Sequence, residues 1–139
     1  MTKFFCMLMV CCIAMVVPSL VFADQELAPY TYVTASELGR YYFKLVPGQG
    51  TENAEGAAGT CFQVEQNGND KVLWTTKDWY AFKVYLSMDG HYLVRLGNWP
   101  RGHEPAAEHL AVAFYKDGVL LKSYSTKDLI KDLTAVRPS

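Results

Sequence analysis

The sequence predicts a mainly β protein: a single antiparallel meander of about six to seven strands, built as a curled sheet, small sandwich or blade-like unit, with a short C-terminal helix. Three observations predict it. Asn67-Gly68, Asp89-Gly90 and Asp117-Gly118 each stand between apolar runs, and such pairs are strong hairpin signals because a type I′ turn needs positive φ at both central residues. The flanking runs alternate with period two, as strands of a half-buried sheet do. Near the C-terminus the period changes, with Leu129, Ile130 and Leu133 at helical spacing.

The first 23 residues are expected to form a leader outside the fold. Lys3 precedes an apolar run over 4–17, then Pro18-Ser19 and Val21-Phe22-Ala23. A basic start, an apolar middle and a small-residue end are the layout of a secretory signal peptide, with cleavage after Ala23. A membrane anchor fits less well, because a span needs about 20 apolar residues and Pro18 interrupts this one. A lipidated cysteine fits less well too, since Cys6, Cys11 and Cys12 lie inside the apolar run. Export without stable membrane insertion, to the periplasm or outside the cell, is therefore the expectation. Residues 24–139 then form one domain, a usual size for a single core.

Along that domain, residues 24–38 are expected to be an arm or a short helix beginning near Ser36. Residues 41–46 (YYFKLV) form a strand ended by Pro47-Gly48, and the Gly- and Ala-rich stretch 49–59 is a surface loop. Strands over 60–66 and 71–76 flank Asn67-Gly68, with Asn69-Asp70 lengthening the turn. In 80–87, Tyr80, Phe82, Val84 and Leu86 share an apolar face. In 91–97, Tyr92, Val94 and Leu96 are expected on the buried face, opposite His91 and Arg95; in 110–116, Leu110, Val112 and Phe114 form the apolar face. The last strand is 119–125. The hairpins over 84–96 and 112–124 align through their Asp-Gly turns, as any two apolar hairpins can. Ser125 with Asp128 three residues on is a capping-box start for the helix, which would shield a sheet edge.

Composition narrows the function classes. The 139 residues hold 13 Lys+Arg, 14 Asp+Glu and 50% hydrophobic side chains. Disorder is excluded by that apolar content, and the lack of basic excess argues against nucleic-acid binding. Without the 23-residue leader, 116 residues remain, with 12 basic and 14 acidic side chains. Three of the four cysteines leave with it, so Cys61 has no internal disulfide partner and the domain must rely on its core.

Candidate chemistry is sparse. The stretch 98–109 (NWPRGHEPAAEH) is the longest connection, and Trp99, Arg101, His103 and Glu104 are its recognition candidates, because aromatic and Arg side chains dominate contact energy. His103, His109, Glu104 and Glu108 are zinc-ligand types. Their spacing is not H-E-x-x-H, and Pro105 interrupts a helix there, so no metal or other cofactor is expected. Cys61, in GAAGTCFQ, lacks a recognisable catalytic partner and reads as a buried thiol. No G-x-S-x-G elbow and no phosphate-binding glycine loop is present. Aromatic strand residues are usually core; a stripe on an open face would instead bind glycan or peptide, and Trp74, Trp79 and Tyr80 are the candidates for one.

Residues 89–132 carry DGHYLVRLGNWPRG and LAVAFYKDGVLLKSYSTKDLIKD. This resembles a group of uncharacterised exported bacterial β-rich proteins in which a D-G-x-Y-L-V hairpin and a G-x-L-L-K-x-Y-S hairpin precede a short D-L helix. The resemblance covers about a third of the chain. It implies an exported β-rich domain and assigns no activity.

The expected function is thus non-catalytic binding of a protein or an envelope component through the 99–109 loop. The alternatives are a small metal- or thiol-dependent enzyme, using His103, Glu104 and His109 or Cys61, and a carrier of a small hydrophobic ligand.

Overall fold

The computed structural model describes residues 27–49, 54–98 and 104–132. The expected leader and three of the loop candidates, Trp99, Arg101 and His103, lie outside them. Among the described residues there are eight strands: β1 (Tyr32–Ala35), β2 (Tyr41–Val46), β3 (Ala58–Gln63), β4 (Lys71–Lys77), β5 (Val84–Leu86), β6 (Tyr92–Leu96), β7 (Leu110–Lys116) and β8 (Val119–Ser125), followed by α1 (Thr126–Leu129). They form two antiparallel four-stranded sheets, β1-β2-β3-β4 and β5-β6-β7-β8, instead of one continuous meander.

The first sheet gains a strand the sequence did not suggest. The helix expected near Ser36 is a hairpin turn: Ser36 N donates to Tyr41 O at 2.8 Å, Tyr41 N donates to Ser36 Oγ at 3.2 Å, and Gly39 sits at φ 66°. Asp117-Gly118 has positive φ at both residues, 50° and 80°, the pattern expected of a type I′ turn. At Asp89-Gly90 only the glycine is positive, and the turn is longer, with Ser87 N bonded to Tyr92 O at 2.9 Å and Gly90 N to Ser87 O at 3.1 Å. The capping box of α1 forms: Ser125 Oγ accepts from Asp128 N, and Ser125 N donates to the Asp128 carboxylate.

The meander splits in two between β4 and β5. Asp78 takes φ 59°, a left-handed conformation that Asp tolerates better than most residues, and its N–H is held by Ala57 O at 2.9 Å. The chain leaves β4 there, so residues 79–83 form a strap instead of the first half of the expected strand. Trp79, Tyr80 and Ala81 of the strap are buried and join Phe43, Leu45 and Cys61 of the first sheet to Val84, Leu93, Ala113 and Tyr115 of the second. The Trp79 ring stacks on Phe43 at 6.1 Å and on Tyr115 at 5.4 Å, and the Arg95 guanidinium lies 4.8 Å from its centroid. Tyr80 donates its hydroxyl to Tyr30 O at 3.0 Å, and Tyr32 donates its own to Ala81 O at 2.7 Å. The strap is therefore the layer that holds the two sheets together.

The turn at Gly90 closes the other side of the core. Its carbonyl accepts from Trp74 Nε1 at 2.8 Å and lies 3.5 Å from Cys61 Sγ. A Cβ on Gly90 would come within 2.6 Å of the Tyr41 ring, so both space and its φ of 74° call for glycine.

The structure corrects the expected faces of two strands. In β6 the inward residues are Leu93, fully buried, and Arg95, against Trp79; Tyr92, Val94 and Leu96 point outward. In β7 the inward residues are Ala113 and Tyr115, while Val112 and Phe114 point outward. β7 is apolar at both parities, and the second parity of β6 holds Leu93 beside Arg95, so alternation alone favours the wrong face in β6 and leaves β7 open. The strap decides: Trp79 needs flat partners, and Tyr115 and Arg95 provide them.

Candidate functional site

Because the faces are turned this way, the outer surface of the second sheet is rich in aromatic and aliphatic side chains. Directly paired residues in antiparallel strands place their side chains on the same face, and the register gives three rows. Tyr85 pairs with Val94, Val94 with Phe114 and Phe114 with Lys122. Tyr92 pairs with Lys116, and Lys116 with Val119. Leu96 pairs with Val112, and Val112 with Tyr124. The four rings of Tyr85, Tyr92, Phe114 and Tyr124 keep 36% to 49% of their surface accessible. An open sheet face normally alternates to polar residues; this one does not.

Lysines lie over three of those rings. Lys83 Nζ is 5.2 Å from the Tyr85 centroid, Lys116 Nζ 5.6 Å from Tyr92 and Lys122 Nζ 5.5 Å from Tyr124. In each contact the ammonium itself lies over the ring face, within the ~6 Å reach of a cation–π interaction. Among the described residues, none of the outward positions in the three rows is a carboxylate. On the edge strand β8, Val119, Leu120 and Leu121 are each more than half exposed; Val119 pairs with outward Lys116, Leu120 with inward Tyr115.

The rim of this face at the turns is polar. His91 Nδ1 lies 2.6 Å from Asp117 Oδ1, tying the β5–β6 turn to the β7–β8 turn. Hydrogen bonding to Asp117 and its charge raise the His91 pKa above its ordinary value. The Asp89 carboxyl is held below its ordinary value by bonds from Ser87 Oγ and His91 N. Ser87 Oγ is engaged by Asp89 and by Tyr92 N, so this is a turn network and not a nucleophile aimed at an imidazole.

The other sequence candidates fall elsewhere. Trp74, Trp79 and Tyr80 are all buried and belong to the core, not to a surface stripe. Glu104 is exposed, at the start of the described part of the loop. That loop is anchored at its end by Ala106, which exchanges hydrogen bonds of 3.0 and 3.1 Å with Thr126 Oγ1. Cys61 is fully buried, and desolvation together with the Asp117 charge pushes its pKa up to about 11. Among the described residues no group of three His, Cys, Asp or Glu side chains is placed to hold a metal ion, and no helix is long and apolar enough to cross a membrane. The outer face was missed because Tyr92, Val94, Leu96, Val112 and Phe114 were assigned to the core; the usable signal was apolar character at both parities of residues 110–116 and Leu93 on the second parity of 92–96.

No family model matches the chain, and neither a curated protein nor a solved structure shows significant similarity to it.

Proposed function

We propose that this protein is an exported, non-catalytic binding domain acting in the cell envelope or outside the cell, with residues 1–23 removed after Ala23. Its contact surface is the outer face of β5–β8. The observation that carries this reading is the cluster of Tyr85, Tyr92, Phe114 and Tyr124, left open to water and bordered by three lysines. Aromatic side chains held on a sheet lose little entropy on binding and supply much of the contact energy. The loop that carries Trp99, Arg101, His103 and Glu104 joins β6 to β7, so it begins and ends on this same sheet. The likeness of residues 89–132 to exported β-rich proteins also belongs to this proposal. A thiol enzyme finds little support, because a buried Cys61 with pKa about 11 is scarcely ionised at neutral pH.

Capture from an envelope extract tests the reading. Tyr92→Ser with Phe114→Ser should abolish capture while leaving the melting temperature within a few degrees of wild type. Capture that survives both this change and Trp99→Ala with Arg101→Ala would refute it.

A further inference from the structure

We infer that the outer face of β5–β8 docks on an anionic lipid surface. The inference rests on that face being the contact surface and names what it contacts. Charge sign is the first ground. A chain with 13 basic and 14 acidic side chains has placed Lys83, Lys116 and Lys122 on one sheet face, with no carboxylate at the described outward positions of its rows. That segregation complements a negative surface and opposes face-to-face pairing of two copies, which would bring lysine against lysine.

Side-chain type is the second ground. Aliphatic Val94, Leu96, Val112 and Val119 share the face with the rings, and Val119 is the most exposed large apolar side chain among the described residues. Sugars stack on bare ring faces. Here an ammonium lies over the rings of Tyr85, Tyr92 and Tyr124 at 5.2, 5.6 and 5.5 Å. A bilayer interface accepts all three classes together: aliphatic groups at the acyl boundary, tyrosines with polar tips at headgroup level, and lysines snorkelling to lipid phosphates. No helix is required for such peripheral binding.

The test is vesicle co-sedimentation of the exported protein, comparing phosphatidylcholine vesicles with vesicles containing one quarter phosphatidylglycerol. Binding should need the anionic lipid and weaken steeply with salt. Replacing Lys83, Lys116 and Lys122 together by Gln should weaken it about 100-fold, at roughly fivefold per lysine near an anionic surface. Val119→Ser, on an exposed edge strand, should weaken binding without changing the salt dependence, and circular dichroism checks that each variant is folded. Equal binding to both vesicle types, or an unaltered affinity of the folded triple variant, overturns the inference. So does tighter, equally lysine-dependent binding to a single-stranded oligonucleotide or an acidic polysaccharide. If vesicles are not bound but extract capture still depends on Tyr92 and Phe114, the face serves a protein partner: the lipid assignment falls and the binding function stands.

Discussion

Trp79→Ala removes the ring that lies between the two sheets. Trp79 is buried, stacked at 6.1 Å on Phe43 and 5.4 Å on Tyr115, with Arg95 at 4.8 Å. Truncating a buried aromatic side chain costs about 3–5 kcal/mol from lost transfer energy and the cavity left behind. The upper part of that range applies here, because each of the two aromatic pairs contributes about 0.5–1.5 kcal/mol beyond its burial. Arg95 also loses the surface on which its guanidinium rests, and its Nε is already buried without a hydrogen-bond partner. Domains of this kind have total stabilities of about 5–15 kcal/mol, so the variant should be marginal. With a urea slope of about 1.5–2 kcal/mol per molar, a loss of about 4 kcal/mol lowers the unfolding midpoint by about 2–3 M. Equilibrium urea unfolding followed by circular dichroism reads this directly. Tyr85→Ala, on the exposed outer face, is the control and should shift stability by no more than about 0.5 kcal/mol. A Trp79→Ala loss below about 1 kcal/mol would refute the strap as the layer that joins the sheets.

Three further outcomes are expected. Gly90→Ala should cost about 2 kcal/mol or more in the same assay, because it combines a left-handed backbone with a Cβ 2.6 Å from the Tyr41 ring. His91 has a folded pKa raised above its ordinary value of 6.5 by Asp117; its stabilising contribution is therefore complete below the unfolded pKa and is lost as pH rises through the folded one. His91→Gln should flatten that part of the stability profile, and NMR titration of the imidazole should give a midpoint above 6.5; a lower midpoint contradicts the ion pair. Cys61 should resist iodoacetamide in the folded protein at pH 8 and react in urea, since burial raises its pKa to about 11; rapid labelling of the folded protein would contradict its burial.

The local features were legible because their causes are local. An Asp-Gly pair adopts positive φ from its own two residues, and the Asp117-Gly118 turn followed. The Ser125–Asp128 capping box spans three residues and formed as its spacing indicates. Cys61, lacking any recognisable partner nearby, sits buried in the core. Ser36 was misread because a serine can cap a helix or a hairpin turn, and only the pairing of β1 with β2 distinguishes them.

The candidate face was the part that local reasoning inverted. Residues 110–116 carry apolar side chains on both sides and 92–96 set Leu93 beside Arg95 on one of them, and a one-residue choice sends Leu93 or Tyr92, Tyr115 or Phe114, into the core. Sequence alone determined β structure, the hairpins at Asn67-Gly68, Asp89-Gly90 and Asp117-Gly118 and the acid–base balance, because turn sterics and residue count settle those. Tertiary structure decided that the strand set divides into two sheets and that Trp79 fills the space between them. Once Tyr115 and Arg95 were drawn in against that ring, the sheet pleat obliged Tyr92, Phe114 and Tyr124 to face water.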